Sequence, residues 1–331
     1  MTLFGKAMKT IGRTALMVVL TLVLTAVLGE GLLRLKNAGQ DNYVIEMWRY
    51  ARALKVISDD PARGHIHLPN ATATLQNTEF RTNSLGMRGP EPVLAAPGKT
   101  KVLLLGSSIT LGWGVAEDKT LAARLAAGLG DGYSVLNGGI GNYNAARAVA
   151  NFAASWRKSV APDVVVMHYF VNDAEWLPPS QDNVVMRNSQ LAVSLYYVLG
   201  GLFKGAADTS SLEAHYRDVY TPGARGHAAM EAALDKLARM AAEDGFRVVL
   251  AMIPDIHKLK DYPFAFVHAD MRRQAAKRGW AYVDFLGDLE GFDGPELWTI
   301  PGDPHPNAKV HGIMADALAP VVRALAERPG G

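Results

Sequence analysis

The chain has 331 residues, 49% of them hydrophobic and 20% charged, with a formal net charge of +2 and no cysteine. That balance is globular and leaves room for one large domain with additions. Charges of both signs without a basic stripe exclude nucleic acid as a partner. The missing cysteines exclude disulfides, thiolate catalysis and Cys-ligated zinc.

The first element is apolar. Residues 14–29, TALMVVLTLVLTAVLG, hold no charge over 16 positions, slightly short of the roughly 20 that cross a bilayer. Extension through Glu30 to Leu33 brings the run to length. Lys6, Lys9 and Arg13 precede it, while Arg34 and Lys36 follow, a modest bias toward an inside N-terminus. Residues 1–36 are therefore expected to form one transmembrane helix, with the body outside the cytoplasm. A cleaved signal peptide is the rival reading. The long run and the absence of a clear small-x-small site weigh against it.

Residues 37–98 read as a linker and a small preliminary layer, with a helix near 43–56 and one or two short strands within the threonine-rich 71–82. A turn-rich stretch, 83–90, comes next. From residue 99 to 331 strand and helix patterns alternate. Strands are predicted at 102–105, 134–137, 163–170, 247–253 and 281–285. Helices are predicted at 120–129, 145–158, 226–243, 266–278 and 308–327. This alternation predicts an α/β fold, a three-layer α/β/α sandwich around a mainly parallel five-stranded sheet. Residues 174–222 interrupt it as an insertion. Their apolar segment 191–203 is expected to be a lid-like helix packed on the body, with a membrane-touching surface as the weaker option.

Four polar clusters fall at predicted strand ends or in the last loop, where such sheets gather their sites. Ser107-Ser108 comes after the first strand, and Asn137-Gly138-Gly139 closes the second. Asn172-Asp173 comes after the third, and Asp303-Pro304-His305 precedes the last helix. Together they supply an acyl-transfer site. Ser108 can attack a carbonyl, His305 can take its proton, and Asp303 can hold the imidazole tautomer. The Ser108 and Gly139 N–H groups and the Asn172 amide can receive an oxyanion. Each piece alone has a structural reading. Ser108 would be a helix cap, Asn172-Asp173 a turn, and Pro306 the first turn of a helix. Their joint order favours a site, with Asp173 structural.

Other chemistries fit less well. Gly139-Ile140-Gly141-Asn142 lacks the third glycine and the downstream acidic residue of a dinucleotide fingerprint. No Gly-x-Ser-x-Gly elbow occurs. His65 with His67, or Asp303 with His305 and His311, lacks the ligands that would complete a metal site. No cofactor or metal is expected, and His311 is expected on the exposed face of the last helix. Trp113, Tyr143 and Trp176 lie beside the motifs and are candidates for stacking on sugars, or for ordinary packing.

The ordered blocks Gly106-Ser107-Ser108-Ile109-Thr110-Leu111-Gly112, Asn137-Gly138-Gly139, Phe170-Val171-Asn172-Asp173 and Asp303-Pro304-His305-Pro306-Asn307 resemble those of the SGNH, or GDSL, hydrolase superfamily over residues 101–327. Ser107 stands where that family has aspartate, and Phe170 where it has glycine. Asp303 and His305 are one residue apart instead of two, a variant similar to the alginate-acetylation branch. The segment Thr82–Gly89 also resembles the lead-in of membrane-anchored bacterial members, many of them near polysaccharide-export or envelope genes. The resemblance implies a flavodoxin-like SGNH fold and a serine esterase that uses Ser108, His305 and Asp303. It implies an acylated carbohydrate or other small ester as substrate. It also implies location at the bacterial inner membrane, facing the periplasm, near polysaccharide-export or envelope machinery. An O-acyltransferase with the same triad, or a silent polysaccharide-binding component, are the alternatives.

Overall fold

The computed structural model describes residues 3–92, 98–204 and 209–327. Of the expected segments, residues 1–2 of the anchor, 93–97 of the linker, 205–208 of the insertion and 328–331 of the C-terminus lie outside the described residues, as do the side chains of 3–9, 201–204, 209 and 210. Internal contacts divide the chain into two compact units, 1–48 with 182–206, and 49–181 with 207–331.

In the first unit, helix α1 (Leu3–Lys36) contains the charge-free run, and α2 (Tyr43–Leu54) begins there. The insertion supplies α6 (Val184–Asn188) and α7 (Gln190–Lys204). The expected lid helix is thus a partner of α1. Glu30 of α1 accepts hydrogen bonds from Ser189 Oγ at 2.9 Å, Gln190 N at 3.1 Å and Leu191 N at 2.9 Å. A carboxylate in that place satisfies the open N–H groups of a helix start and favours its dipole.

The second unit opens with two antiparallel pairs, β1 (Lys55–Ile57) with β2 (His65–His67), and β3 (Thr72–Leu75) with β4 (Thr78–Arg81). Gln76 and Asn77 join β3 to β4, both with positive φ (48° and 55°), the conformation a two-residue type I′ hairpin turn requires. The main sheet comprises β5 (Thr100–Gly106), β6 (Tyr133–Gly139), β7 (Val164–Tyr169), β8 (Arg247–Met252) and β9 (Ala281–Asp284), interleaved with α3 (Ser108–Leu111), α4 (Leu121–Leu129), α5 (Ala145–Asn151), α8 (Thr209–Val219), α9 (Arg225–Asp244) and α10 (Ala265–Lys277). Helix α11 (Leu286–Leu289), the antiparallel pair β10 (Trp298–Ile300) and β11 (Asp303–Pro306), and α12 (Ala308–Ala326) complete it.

All four pairings of the main sheet are parallel, in the order β6-β5-β7-β8-β9. Alternation along each strand divides the core. Leu103, Leu105, Val165, Met167, Val248 and Leu250 face α5, α9 and α10, while Val102, Leu104, Val164, Val166, Val249 and Ala251 face α4 and α12. Strands covered on both sides read as continuous apolar runs, as VLLL and VVVM do here. The strand order reverses between β5 and β7. Such a topological switch point opens a crevice at the strands' carboxyl ends, and Ser108 and Asn172 lie just beyond those two strands.

Candidate active site

A steric requirement ends β5 in glycine. A Cβ on Gly106 would lie 2.1 Å from Thr110 Oγ1 and 2.7 Å from the His168 carbonyl oxygen. Only glycine lets the chain turn so tightly from strand into helix. The turn leaves Ser107 buried and Ser108 half-buried at the first position of α3. The far end of α3 is held by Arg88, whose Nη1 donates to the Leu111 and Gly112 carbonyls (2.9 and 2.5 Å) and whose Nη2 donates to Val115 (2.6 Å). The guanidinium also lies 3.8 Å from the centre of the Phe80 ring. A cation there answers the orphan carbonyls and the negative end of the helix. Burial pushes the Arg88 guanidinium down to about 10, so it stays charged at neutral pH.

Asp303 and His305 lie on β11. Side chains two apart on a strand share a face, which is why one intervening residue suffices to pair them. His305 Nδ1 lies 2.6 Å from Asp303 Oδ1, and the His305 backbone N–H donates to the same oxygen at 3.2 Å. With the carboxylate accepting at Nδ1, Nε2 is left bare as an acceptor. It lies 2.8 Å from Ser108 Oγ. The other carboxylate oxygen, Oδ2, accepts from Gln76 Nε2 at 2.5 Å and Trp113 Nε1 at 2.9 Å. Burial by itself would raise the Asp303 carboxyl. The bonds from His305 and Gln76 outweigh it and hold the group below the usual carboxylate range. Asp303 is wholly enclosed, whereas Ser108 and His305 are half-buried.

Asn172 sits on the turn Val171–Ala174 after β7, half-buried, and its buried Oδ1 has no hydrogen-bond partner among the described residues. Its neighbour Asp173 is buried and accepts the Phe170 N–H at 2.8 Å, bracing the turn. Burial pushes the Asp173 carboxyl up to about 8.

Three expectations need correction. The Gly139 N–H donates to Asn137 Oδ1 at 3.0 Å, and a Cβ on Gly139 would strike Leu111 N at 2.2 Å. This glycine serves the packing of α3 on β6, and its donor is spent. The next two N–H groups are also engaged, Ile140 with Gly106 O (3.1 Å) and Gly141 with Tyr50 Oη (2.8 Å). Asn142, exposed at φ 66°, is the first residue of the loop whose N–H has no partner among the described hydrogen bonds.

The second correction concerns the aromatics. Trp113 (1% exposed) and Tyr143 (3% exposed) present no surface for stacking. Trp113 serves Asp303, and the Tyr143 hydroxyl donates to the His65 carbonyl at 2.5 Å. Trp176 is exposed, with the Arg225 guanidinium 3.8 Å from its ring centre.

The third is His311. It is fully buried, with Nδ1 accepting the Leu121 N–H at 3.0 Å. His65 Nε2 lies 3.0 Å from the Gly141 carbonyl, and His67 Nε2 lies 2.6 Å from Tyr50 Oη.

Gln76 and Arg88 escaped the sequence reading as site residues. The signal for Gln76 is a polar two-residue turn between alternating strands, which marks the hairpin without showing where it points. Arg88 lies within the Thr82–Gly89 lead-in, but nothing local shows that it reaches α3.

The family model for GDSL-like lipases and acylhydrolases matches residues 104–313. No curated protein matches this chain. Similar solved structures include TesA, 20% identical, covering 68% of this chain and 99% of that chain at a TM-score of 0.43. A putative lipolytic protein of the G-D-S-L family from Desulfitobacterium hafniense DCB-2 is 15% identical and covers 67% of this chain and 99% of that chain, with a TM-score of 0.42. Axe2, an acetylxylan esterase from Geobacillus stearothermophilus, is 18% identical over 70% of this chain and 96% of that chain, with a TM-score of 0.41. The family match takes in more than half of the sequence, including Ser108, Asn172, Asp303 and His305, and the chain belongs to the GDSL-like lipase/acylhydrolase family.

Proposed function

We propose that this protein is a membrane-anchored serine ester hydrolase acting outside the cytoplasm on acylated carbohydrate, through an acyl-Ser108 intermediate. The observation that carries the chemistry is the continuous relay from Ser108 Oγ to His305 Nε2 (2.8 Å) and from His305 Nδ1 to Asp303 Oδ1 (2.6 Å). Ser108 Oγ attacks the ester carbonyl while its proton passes to His305 Nε2. Asp303 stabilises the imidazolium. The oxyanion takes hydrogen bonds from the Ser108 N–H and Asn172 Nδ2, with the Asn142 N–H as a third donor in place of Gly139. Collapse returns the proton to the leaving alcohol oxygen. A water activated by the same imidazole then releases the acid and regenerates Ser108.

The anchor reading rests on the charge-free run 14–29 and on the contacts of the helical turn at its end. Gly29, Glu30 and Leu33 of α1 are half-buried in the first unit, with Glu30 bonded to α7. A segment built into the fold in this way is a poor candidate for removal as a signal peptide. The carbohydrate reading rests on the resemblance of residues 82–89 and of the Asp303–His305 spacing to envelope members. That spacing also favours a second reading, transfer of the acyl group to a sugar hydroxyl.

The test uses the purified full chain with an acetylated xylo-oligosaccharide, with and without an unacetylated acceptor. Free acetate that disappears in Ser108→Ala supports the hydrolase. Acetyl appearing only on the acceptor moves the assignment to the transferase. A folded wild type that releases no acetate, acylates no acceptor and takes no fluorophosphonate label would overturn the enzymatic reading.

A further inference from the structure

We propose that α7 is a second membrane-contacting element, a short helix that enters the lipid beside α1 without crossing the bilayer. Residues 189–203 contain 15 positions without a charge. As a helix they rise about 22 Å, less than the roughly 30 Å hydrocarbon core. Short apolar helices of this length are normally buried in a protein core, and the middle of α7 is not. Leu195, Tyr196, Tyr197, Val198 and Leu199 are 50%, 65%, 56%, 61% and 52% exposed. Five consecutive residues pass more than once around a helix of 3.6 residues per turn. Residues 195–199 of α7 are therefore apolar on every side.

That pattern selects the occupant. A protein partner, or a second copy, would need one apolar stripe and would leave a polar face toward water. A helix with no polar face requires a surround that is apolar everywhere, and lipid supplies it.

The position of α7 agrees. Its N-terminus is tied to Glu30, and the Arg34 guanidinium, paired with Glu30 at 2.7 Å, also donates to the Asn188 carbonyl at 3.2 Å. A Cβ on Gly29 would lie 3.6 Å from the Leu191 side chain, so the two helices approach closely there. Glu30 comes directly after the charge-free run of α1, so α7 begins at the level where the anchor leaves the hydrocarbon. Tyr196 and Tyr197 suit the boundary zone that aromatic residues favour, and Arg187 precedes the apolar stretch as a headgroup-binding cation would. Val184 and Val185 of α6, 74% and 65% exposed, extend the same apolar surface.

This inference rests on the reading of α1 as a retained anchor, and the test separates the two. The chain has no cysteine, so single cysteines can be placed in the full chain at Val19, Val198 and Lys236 and labelled with an environment-sensitive fluorophore. The labelled proteins are reconstituted in phosphatidylethanolamine/phosphatidylglycerol vesicles. Quenchers are doxyl groups on lipid acyl chains, and iodide in the water. The expected result is doxyl quenching at Val19→Cys and Val198→Cys, and iodide quenching alone at Lys236→Cys. Iodide quenching at Val198→Cys with doxyl quenching at Val19→Cys overturns the role of α7 and leaves the anchor standing. Protection of Val198→Cys from both quenchers means that protein covers the helix, and also overturns it. Loss of doxyl quenching at Val19→Cys removes the anchor and the inference together.

Discussion

His305 and His311 stand six residues apart, and their surroundings assign them opposite work. His305 is half-buried on a strand, with Asp303 at one ring nitrogen and Ser108 at the other. His311 is fully buried on α12 and takes one backbone N–H at Nδ1. Burial, with the positive charge of Arg88 nearby, pushes the His311 imidazole down to about 3. His168, beneath α3 with Nδ1 2.9 Å from Thr110 Oγ1, is held at about 3 by burial and by His311. The lesson is electrostatic. An imidazole can take up a proton where a carboxylate offsets the cost of desolvating the charge, and without one it is a neutral packing group.

The largest expected effect tests the reactive end of that comparison. Ser108→Ala should lose roughly 10⁶-fold in kcat, the scale of removing a serine nucleophile, and should lose fluorophosphonate labelling. Ser107→Ala should keep both, and labelling that tracks Ser107 would reverse the assignment. His305→Ala should lose about 10³–10⁶-fold. His311→Gln, which retains an acceptor for the Leu121 N–H, should stay within a few-fold of wild type. Comparable losses in the two histidine variants, measured on a small acetyl ester, would erase the distinction between them.

Asp303→Asn should lose about 10⁴-fold, because the imidazole would adopt the wrong tautomer. A lower melting temperature should accompany the loss. Asp303 is enclosed, and the Gln76 and Trp113 donors would face a side chain that is no longer an anion. An unchanged rate would remove Asp303 from the relay. Asn172→Ala should cost about 10²–10³-fold in kcat, the scale of one oxyanion donor, with an unaltered melting temperature. A change in KM alone would make Asn172 a binding group.

The smallest effect is on stability against pH. His168 and His311 bind protons in the unfolded chain near pH 6.5 but only near 3 when folded. Between those values the unfolded state holds more protons, so the stability they contribute is complete above pH 6.5 and is lost as pH falls. Asp173, held up at about 8, acts with the opposite sign between its unfolded value and pH 8. The informative measurement is therefore the difference between variants. Between pH 6.5 and 4 the melting temperature of wild type should fall more steeply than that of His311→Gln. Parallel curves would mean that His311 is not buried as a neutral group.

Legibility differed from residue to residue for physical reasons. The five sheet strands were readable because strands covered on both faces become short apolar runs such as 102–105 and 163–170. β10 and β11 were not. Trp298–Ile300 is too short, and Asp303–Pro306 too short and too rich in proline and polar residues, to show a strand period, so Asp303 and His305 read as a loop. The insertion's helix was legible from its apolar composition, and its partner was not. Nothing local in 191–203 distinguishes a helix on the body from one held by Glu30.

The sequence by itself determined the alternation of strands and helices, the apolar run at the N-terminus, and the order in which Ser108, Asn172, Asp303 and His305 occur along the chain. Those are properties of local composition and spacing, and they survive without knowledge of any distant neighbour. Tertiary structure alone decided which backbone donors remain available, since the Gly141 N–H is consumed by the Tyr50 hydroxyl, 91 positions away along the chain. It decided that Gln76 and Trp113 hold the carboxylate of Asp303, contacts that cross 227 and 190 positions of the chain. It also decided which histidine is buried without a counter-charge. Burial and hydrogen-bond competition are set by what the fold brings alongside, and no spacing along the chain encodes them.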